Sequence, residues 1–504
     1  MSQTATASER PRVKARVRPV EHFIDGRFQP SQAGGAFETI DPATNEVITT
    51  VADGLEADID LAVRAARQAF EEGPWPRLRA AERARYLRRI AELIEAADAE
   101  IAEVETLDTG LPITQARGQA RRAAQNFHFF AAQIETLSTA SYQTGDFLNY
   151  TLLKPVGVAG LITPWNTPFM LETWKVAPCL AAGDTCVLKP AEWSPLSASR
   201  LAAIIAEAGI PDGVCNVVHG FGETCGAPLV EHPGVQLISF TGETTTGSTI
   251  IANGAKTLKR CSMELGGKSP VVVFADADLE RAVDAAVFGV FSLNGERCTA
   301  GTRLLIEEPI YDEFVERTAQ RAGQVRLGDP FDPKTELGPL IHRDHYERVK
   351  SYVEIGRQEG RLLAGGERPQ HLAQGNYLPA TLIADVKPRA RVFQEEIFGP
   401  VVVATPFNGE AEAVRLANDV RYGLAAYVWT RDLQRGQRVA QAIDSGLVWL
   451  NSQNVRDLRT PFGGSKWSGI GREGGTYSFE FYCDLQTVHV ALGEHSIPRF
   501  GTGG

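Results

Sequence analysis

Val156-Gly157-Val158-Ala159-Gly160-Leu161-Ile162-Thr163-Pro164-Trp165-Asn166-Thr167-Pro168-Phe169 reads as a short apolar strand running into a proline-stiffened loop. The unit then recurs. A helix over 170–182 is followed by a strand at 185–188, a helix at 194–208, a strand at 214–218, a helix at 224–231, a strand at 237–240 and a helix at 244–255. This regular exchange predicts a parallel, doubly wound α/β sheet. Ligands on such sheets bind at the carboxyl ends of the strands. The loops after 162, 188 and 240 are therefore the places to look for chemistry.

A second α/β unit follows residue 264. Strands are expected at 270–274, 303–307, 401–407, 426–430 and 446–451, with a helix carrying Leu279, Val283, Ala286, Val287 and Val290. Upstream, Phe23-Ile24-Asp25-Gly26-Arg27-Phe28 is a hairpin signal. Helical spacing links Ile59, Val63, Ala66 and Phe70, then Leu87, Ile90, Ile94, Ala97, Ile101 and Val104, with a third helix over 114–138. The basic stretch up to Val20 reads as a solvated flexible arm, with order expected from about His22. The tail at 487–492 alternates apolar and polar residues.

The chain has 504 residues, which suggests about three domains. Its net charge of -11 argues against a nucleic-acid or anionic-membrane partner, and no apolar run is long enough for a spanning helix. The seven cysteines are Cys179, Cys186, Cys215, Cys225, Cys261, Cys298 and Cys483. They are odd in number and form no CxxC pair, which reads as reduced thiols in a cytoplasmic protein and no metal site.

Cys298 stands apart because it lies on a glycine-flanked turn, Asn294-Gly295-Glu296-Arg297-Cys298-Thr299-Ala300-Gly301, where substrate can approach and Arg297 can favour the thiolate. Met263-Glu264-Leu265-Gly266-Gly267-Lys268 places a carboxylate at a strand end, where burial would raise its pKa and let it activate water. Asn166 can point its amide at a developing oxyanion. Thr241-Gly242-Glu243-Thr244 passes from strand to helix, and the free N–H groups there suit a pyrophosphate. Lys189-Pro190-Ala191-Glu192 is placed for a ribose. Glu395-Glu396-Ile397-Phe398-Gly399-Pro400 and Pro461-Phe462-Gly463-Gly464 are glycine-aromatic loops that line sites in general. Each segment alone is also compatible with an ordinary turn or helix cap.

Together these segments, in this order and with Glu264 and Cys298 34 residues apart, resemble the NAD(P)-dependent aldehyde dehydrogenase superfamily from about residue 22 onward. The resemblance implies Cys298 as nucleophile, Asn166 as oxyanion donor, Glu264 as the base that activates the hydrolytic water, and Lys175 and Glu473 in proton relay. It implies NAD as cofactor, held by Trp165, Lys189, Glu192, Thr241, Gly242, Glu396 and Phe398, with Glu192 repelling the 2′-phosphate of NADP. Glu243 departs from the family pattern, which often has serine there. The resemblance also implies a Rossmann-like NAD domain (20–137 and 157–263), a catalytic α/β domain (264–478) and a small β oligomerisation segment (138–156 and 479–504), in a homodimer or homotetramer.

The runs 451–459 and 474–480 look closest to the 5-carboxymethyl-2-hydroxymuconate semialdehyde dehydrogenases of aromatic catabolism, with related muconic semialdehyde enzymes next. Such aldehydes carry carboxylates. Arg456 could pair one, with Arg297, Arg459, Phe462 and Trp174 assisting, although these arginines could equally tie loops to Asp457 or Glu296. A betaine-type substrate would be opposed by Arg456.

Overall fold

The computed structural model describes residues 9–501. Its first sheet has eight strands, in the order Arg27–Gln29, His22–Ile24, Cys215–Val217, Thr185–Lys189, Val158–Ile162, Leu237–Thr241, Arg260–Glu264 and Gly469–Ile470. The five central strands are parallel and both edges are antiparallel. Val158–Ile162 and Thr185–Lys189 are buried at every position. That is why their sequences run apolar without alternating: helices cover both faces. Gly160 is needed for closeness, since a Cβ there would lie 2.6 Å from Ile238. The intervening helix Pro168–Ala182 begins at a proline and ends at Gly183, with φ +102°.

The second sheet has seven strands, in the order Arg361–Ala364, Thr381–Ala384, Val401–Phe407, Arg303–Glu307, Pro270–Val273, Ala425–Trp429 and Leu447–Leu450. All neighbours pair parallel except the first two. A third sheet of three antiparallel strands, Ser141–Thr144, Phe147–Pro155 and Cys483–Ala491, leaves Tyr142, Leu152 and Leu485 exposed. The strand Gly469–Ile470 crosses from the second part of the chain to the edge of the first sheet, where Gly469 pairs with Glu264.

Two expectations are corrected. Residues 9–20 are not a solvated arm. Arg10–Lys14 is helical, Val13 is buried, and Arg10 pairs with Asp41 (2.5 Å) and Asp329 (2.6 Å) while lying over Phe331. Arg12 and Arg16 pair with Glu103, and Lys14 with Glu46. The basic residues therefore meet acids of the folded body, which no local pattern reveals; residues 1–8 of that stretch lie outside the described residues. Second, the helix expected through 87–104 is two, Ala80–Ala96 and Asp98–Thr109. Ala97 leaves helical geometry, and Asp98 and Glu100 occupy a new first turn, where the helix dipole favours acids. No helix among the described residues is long and apolar enough to cross a membrane.

Candidate active site

One cleft of about 310 Å³ opens at the carboxyl ends of the first sheet, against the second. Its wall contains Cys298, Glu264, Asn166, Glu473, Trp165, Thr241, Gly242, Glu396, Phe398, Arg297, Arg456, Phe462 and Trp174. Residues far apart in sequence thus share one space, because strand ends converge there.

The turn before Cys298 is built from three consecutive left-handed residues, Leu293, Asn294 and Gly295. Asn294 holds it, donating to Gly110 O (3.1 Å) and Pro339 O (3.0 Å) and accepting from Gly338 N (2.8 Å). A Cβ on Gly295 would meet the Gly399–Pro400 backbone at 2.3 Å. On Gly267 it would lie 2.6 Å from the Cys298 carbonyl. The glycines of both motifs therefore admit close backbone approach. Asn166 donates one amide hydrogen to Glu296 O (2.9 Å), and no partner takes the second.

Burial pushes the Cys298 thiol up to about 12, Glu396 and Glu264 raise it further, and Arg297 opposes them. Arg297 lowers the thiol's pKa and so favours the thiolate, as expected, but desolvation outweighs one nearby cation. Glu264 is buried with neither oxygen hydrogen-bonded, and desolvation, then Glu473, raises its pKa well above the usual range. Burial thus favours the neutral form of both groups. Beneath them lies a connected polar group. Lys175 Nζ meets Glu473 Oε1 (2.9 Å) and Ser239 Oγ (2.8 Å), and Trp174 Nε1 donates to Glu473 Oε2 (2.6 Å).

A dinucleotide fits the other end. Thr241 Oγ1 is buried without a partner, and the helix Thr244–Gly254 opens its N-terminus beside it. Glu396 is held by the Gly267 N–H at 2.8 Å. Trp165 packs edge-on to Phe398, with centroids 5.2 Å apart. Lys189 and Glu192 are not part of the cleft wall; they bond to each other (3.2 Å), and the wall begins at the adjacent Trp193. Among the described residues no cluster of three His, Cys, Asp or Glu could hold a metal ion.

The arginines separate. Arg456 lies between the rings of Trp174 (4.0 Å) and Phe462 (4.6 Å), and its Nη2 is buried without a hydrogen-bond partner. Arg297 packs over Phe288, and its Nη1 is likewise unpartnered. Arg459 is corrected: it is exposed, chelates Asp457 (2.6 Å) and does not reach the cleft. Among the residues missed from sequence is Arg122, which lines the cleft, lowers the pKa of Arg456 by its charge and touches Gln119 (3.3 Å). Its signal was present. Gln119 falls among the buried residues Ala116, Ala120 and Ala123 of the helix Ile113–Thr136, and Arg122 lies one turn on.

A doubly wound sheet whose strand ends face a thiol, a buried carboxyl and a free amide hydrogen in one cleft has the architecture of an α/β enzyme. The chain belongs to the aldehyde dehydrogenase family, whose pattern it matches over residues 28–488, and is an oxidoreductase acting on aldehydes. It is 53% identical to a 5-carboxymethyl-2-hydroxymuconate semialdehyde dehydrogenase of Escherichia coli, over 92% of this chain and 99% of that protein. The crystal structure of HpcC from Thermus thermophilus superposes with a TM-score of 0.96 at 52% identity, covering 98% of this chain and 97% of that one. An NAD+ complex of an aldehyde dehydrogenase from Bacillus cereus gives a TM-score of 0.93 at 41% identity, covering 96% of this chain and 99% of that one.

Proposed function

We propose that this chain oxidises a carboxylate-bearing semialdehyde of the muconic type to the acid, with NAD, and that Arg456 and Arg122 hold the substrate carboxylate. The observation that carries this reading is a group of guanidinium side chains in the cleft. Arg122, Arg297 and Arg456 line its wall, and buried N–H groups of Arg297 and Arg456 lack partners. An anion satisfies such donors bidentately, whereas a cationic aldehyde meets like charge. The Escherichia coli relative, named for a carboxylated semialdehyde, supports the same substrate class.

In this reading the Cys298 thiol gives its proton to solvent water entering the cleft as Sγ bonds to the aldehyde carbon, and Asn166 Nδ2 and the Cys298 backbone N–H stabilise the oxyanion of the thiohemiacetal. NAD, when bound, supplies the acceptor for the hydride that leaves this carbon. Glu264, once deprotonated, removes a proton from water as the oxygen attacks the resulting thioester, which frees the acid and the Cys298 sulfur. Glu473 and Lys175 pass that proton away from Glu264. Thr241, Gly242, Trp165, Glu396 and Phe398 hold the cofactor, and Glu192 beside Lys189 selects NAD over NADP. The three-stranded sheet, with Tyr142, Leu152 and Leu485 outward, docks a second copy in a homodimer or homotetramer.

A panel of muconic semialdehydes, aliphatic aldehydes and betaine aldehyde tests the assignment through NADH formation. Arg456→Leu and Arg122→Leu are each expected to raise KM at least about tenfold for the carboxylated substrate, the scale of one lost charge-assisted hydrogen bond. KM for a neutral aldehyde should move little. An equal change for both would make the arginines structural.

A further inference from the structure

We propose that Trp193 and His342 form an aromatic latch between the two halves of the molecule, and that this latch sets how fast the dinucleotide enters and leaves its cleft. The inference rests on the reading of that cleft as the NAD site. Trp193 follows the strand Thr185–Lys189 of the first sheet, next to the Lys189–Glu192 pair. His342 comes from the other half, as N-cap of the helix Arg343–Glu359. Their rings lie parallel, 4.7 Å apart with 7° between planes. This is the geometry in which aromatic faces attract through dispersion and shed water.

The stack continues into the site. Trp193 meets Trp165 at 5.8 Å, and Trp165 in turn meets His345 at 5.0 Å and Phe398 at 5.2 Å. Trp193, Trp165, His345 and Phe398 all belong to the cleft wall. A row of rings therefore runs from one half to the other along the space that a dinucleotide would occupy. Both halves wall that space, so a large ligand exchanges only as fast as they part, and the stack is one of the contacts broken when they do.

The same imidazole has a second, local task, since His342 Nδ1 accepts the Asp344 N–H at 3.2 Å. Two substitutions separate the roles. His342→Asn keeps a side chain that caps the helix and removes the ring. His342→Phe keeps the ring and removes the cap. NADH release is followed by stopped-flow fluorescence on displacement with excess NAD, and equilibrium binding by titration, both without aldehyde. A latch predicts release about two- to tenfold faster in His342→Asn, the factor that one aromatic pair is worth. It predicts near wild-type release in His342→Phe, and Trp193→Ala should match His342→Asn. Unchanged release in His342→Asn, or the reverse order of the two His342 variants, overturns the latch while leaving the NAD site intact. Failure of the wild-type chain to bind NADH overturns the cleft assignment and the latch together.

Discussion

At the scale of single residues, the site is governed by desolvation. Cys298 and Glu264 line one cleft, and burial raises the pKa of both. A base whose pKa is raised works better as the solution becomes more alkaline, so with Glu264 in that role kcat for acid formation is expected to rise with pH well above the ordinary carboxylate range. Glu264→Gln separates the two halves of the reaction. The variant should still give a burst of NADH close to one equivalent per site, with steady-state turnover down at least about a hundredfold, the usual worth of a general base. Rapid-mixing absorbance measures both, and loss of the burst would place Glu264 in the first half as well.

At the scale of elements, the catalytic loops depend on partners remote in sequence. Glu264 ends a strand, but its edge is closed by Gly469, and Gly463 packs so closely that a Cβ there would lie 2.7 Å from Glu264 Oε1. The N-terminal helix is another such case. Arg10 joins Asp41, at the end of the strand Ala36–Asp41, to Asp329, in the second part of the chain, and its guanidinium is largely buried. Arg10→Ala leaves the Asp41 carboxylate buried without that cation, a defect that costs about 3–5 kcal/mol. Calorimetry should show a melting temperature lower by several degrees, and a nearly unchanged value would mean that the arm only decorates the surface. The hairpin at Asp25-Gly26, the strands of the central sheet and the helix Pro168–Ala182 were legible locally because turn residues and apolar runs mark their own ends. The helix Arg343–Glu359 was not read, although Tyr346, Val349 and Val353 form its buried stripe, because charged residues dominate its composition.

At the scale of the molecule, several carboxyl groups lie in the interior away from the cleft. Glu105 is pushed up to about 8 and Asp108 to about 7, in each case mainly by burial, and Glu172 beside them is raised well above its usual range. The folded state then binds these protons more tightly than the unfolded chain, whose carboxyls titrate near about 4. Their contribution to stability is fully present below that range and is lost as pH rises through about 7 to 8. Glu105→Gln, which needs no proton, is expected to recover roughly a few kcal/mol of the difference between about pH 6 and about pH 9, read from denaturant midpoints. An unchanged pH dependence would mean that the cluster is hydrated.

What the sequence by itself determined was the alternation of strand and helix, the glycine turns on which Glu264 and Cys298 sit, and the kinds of group that could do chemistry. These are local: a turn that demands a left-handed residue or a strand buried on both faces writes its requirement into adjacent positions. Only the tertiary structure decided which of those groups meet. It brought Arg122 from an early helix to the wall that Arg456 lines, sent Arg459 out to Asp457, and set Trp193 on His342. It also decided that burial raises the thiol's pKa. Burial is a property of everything packed around a group, and the residues beside Cys298 in sequence carry only the weaker, opposing charge of Arg297.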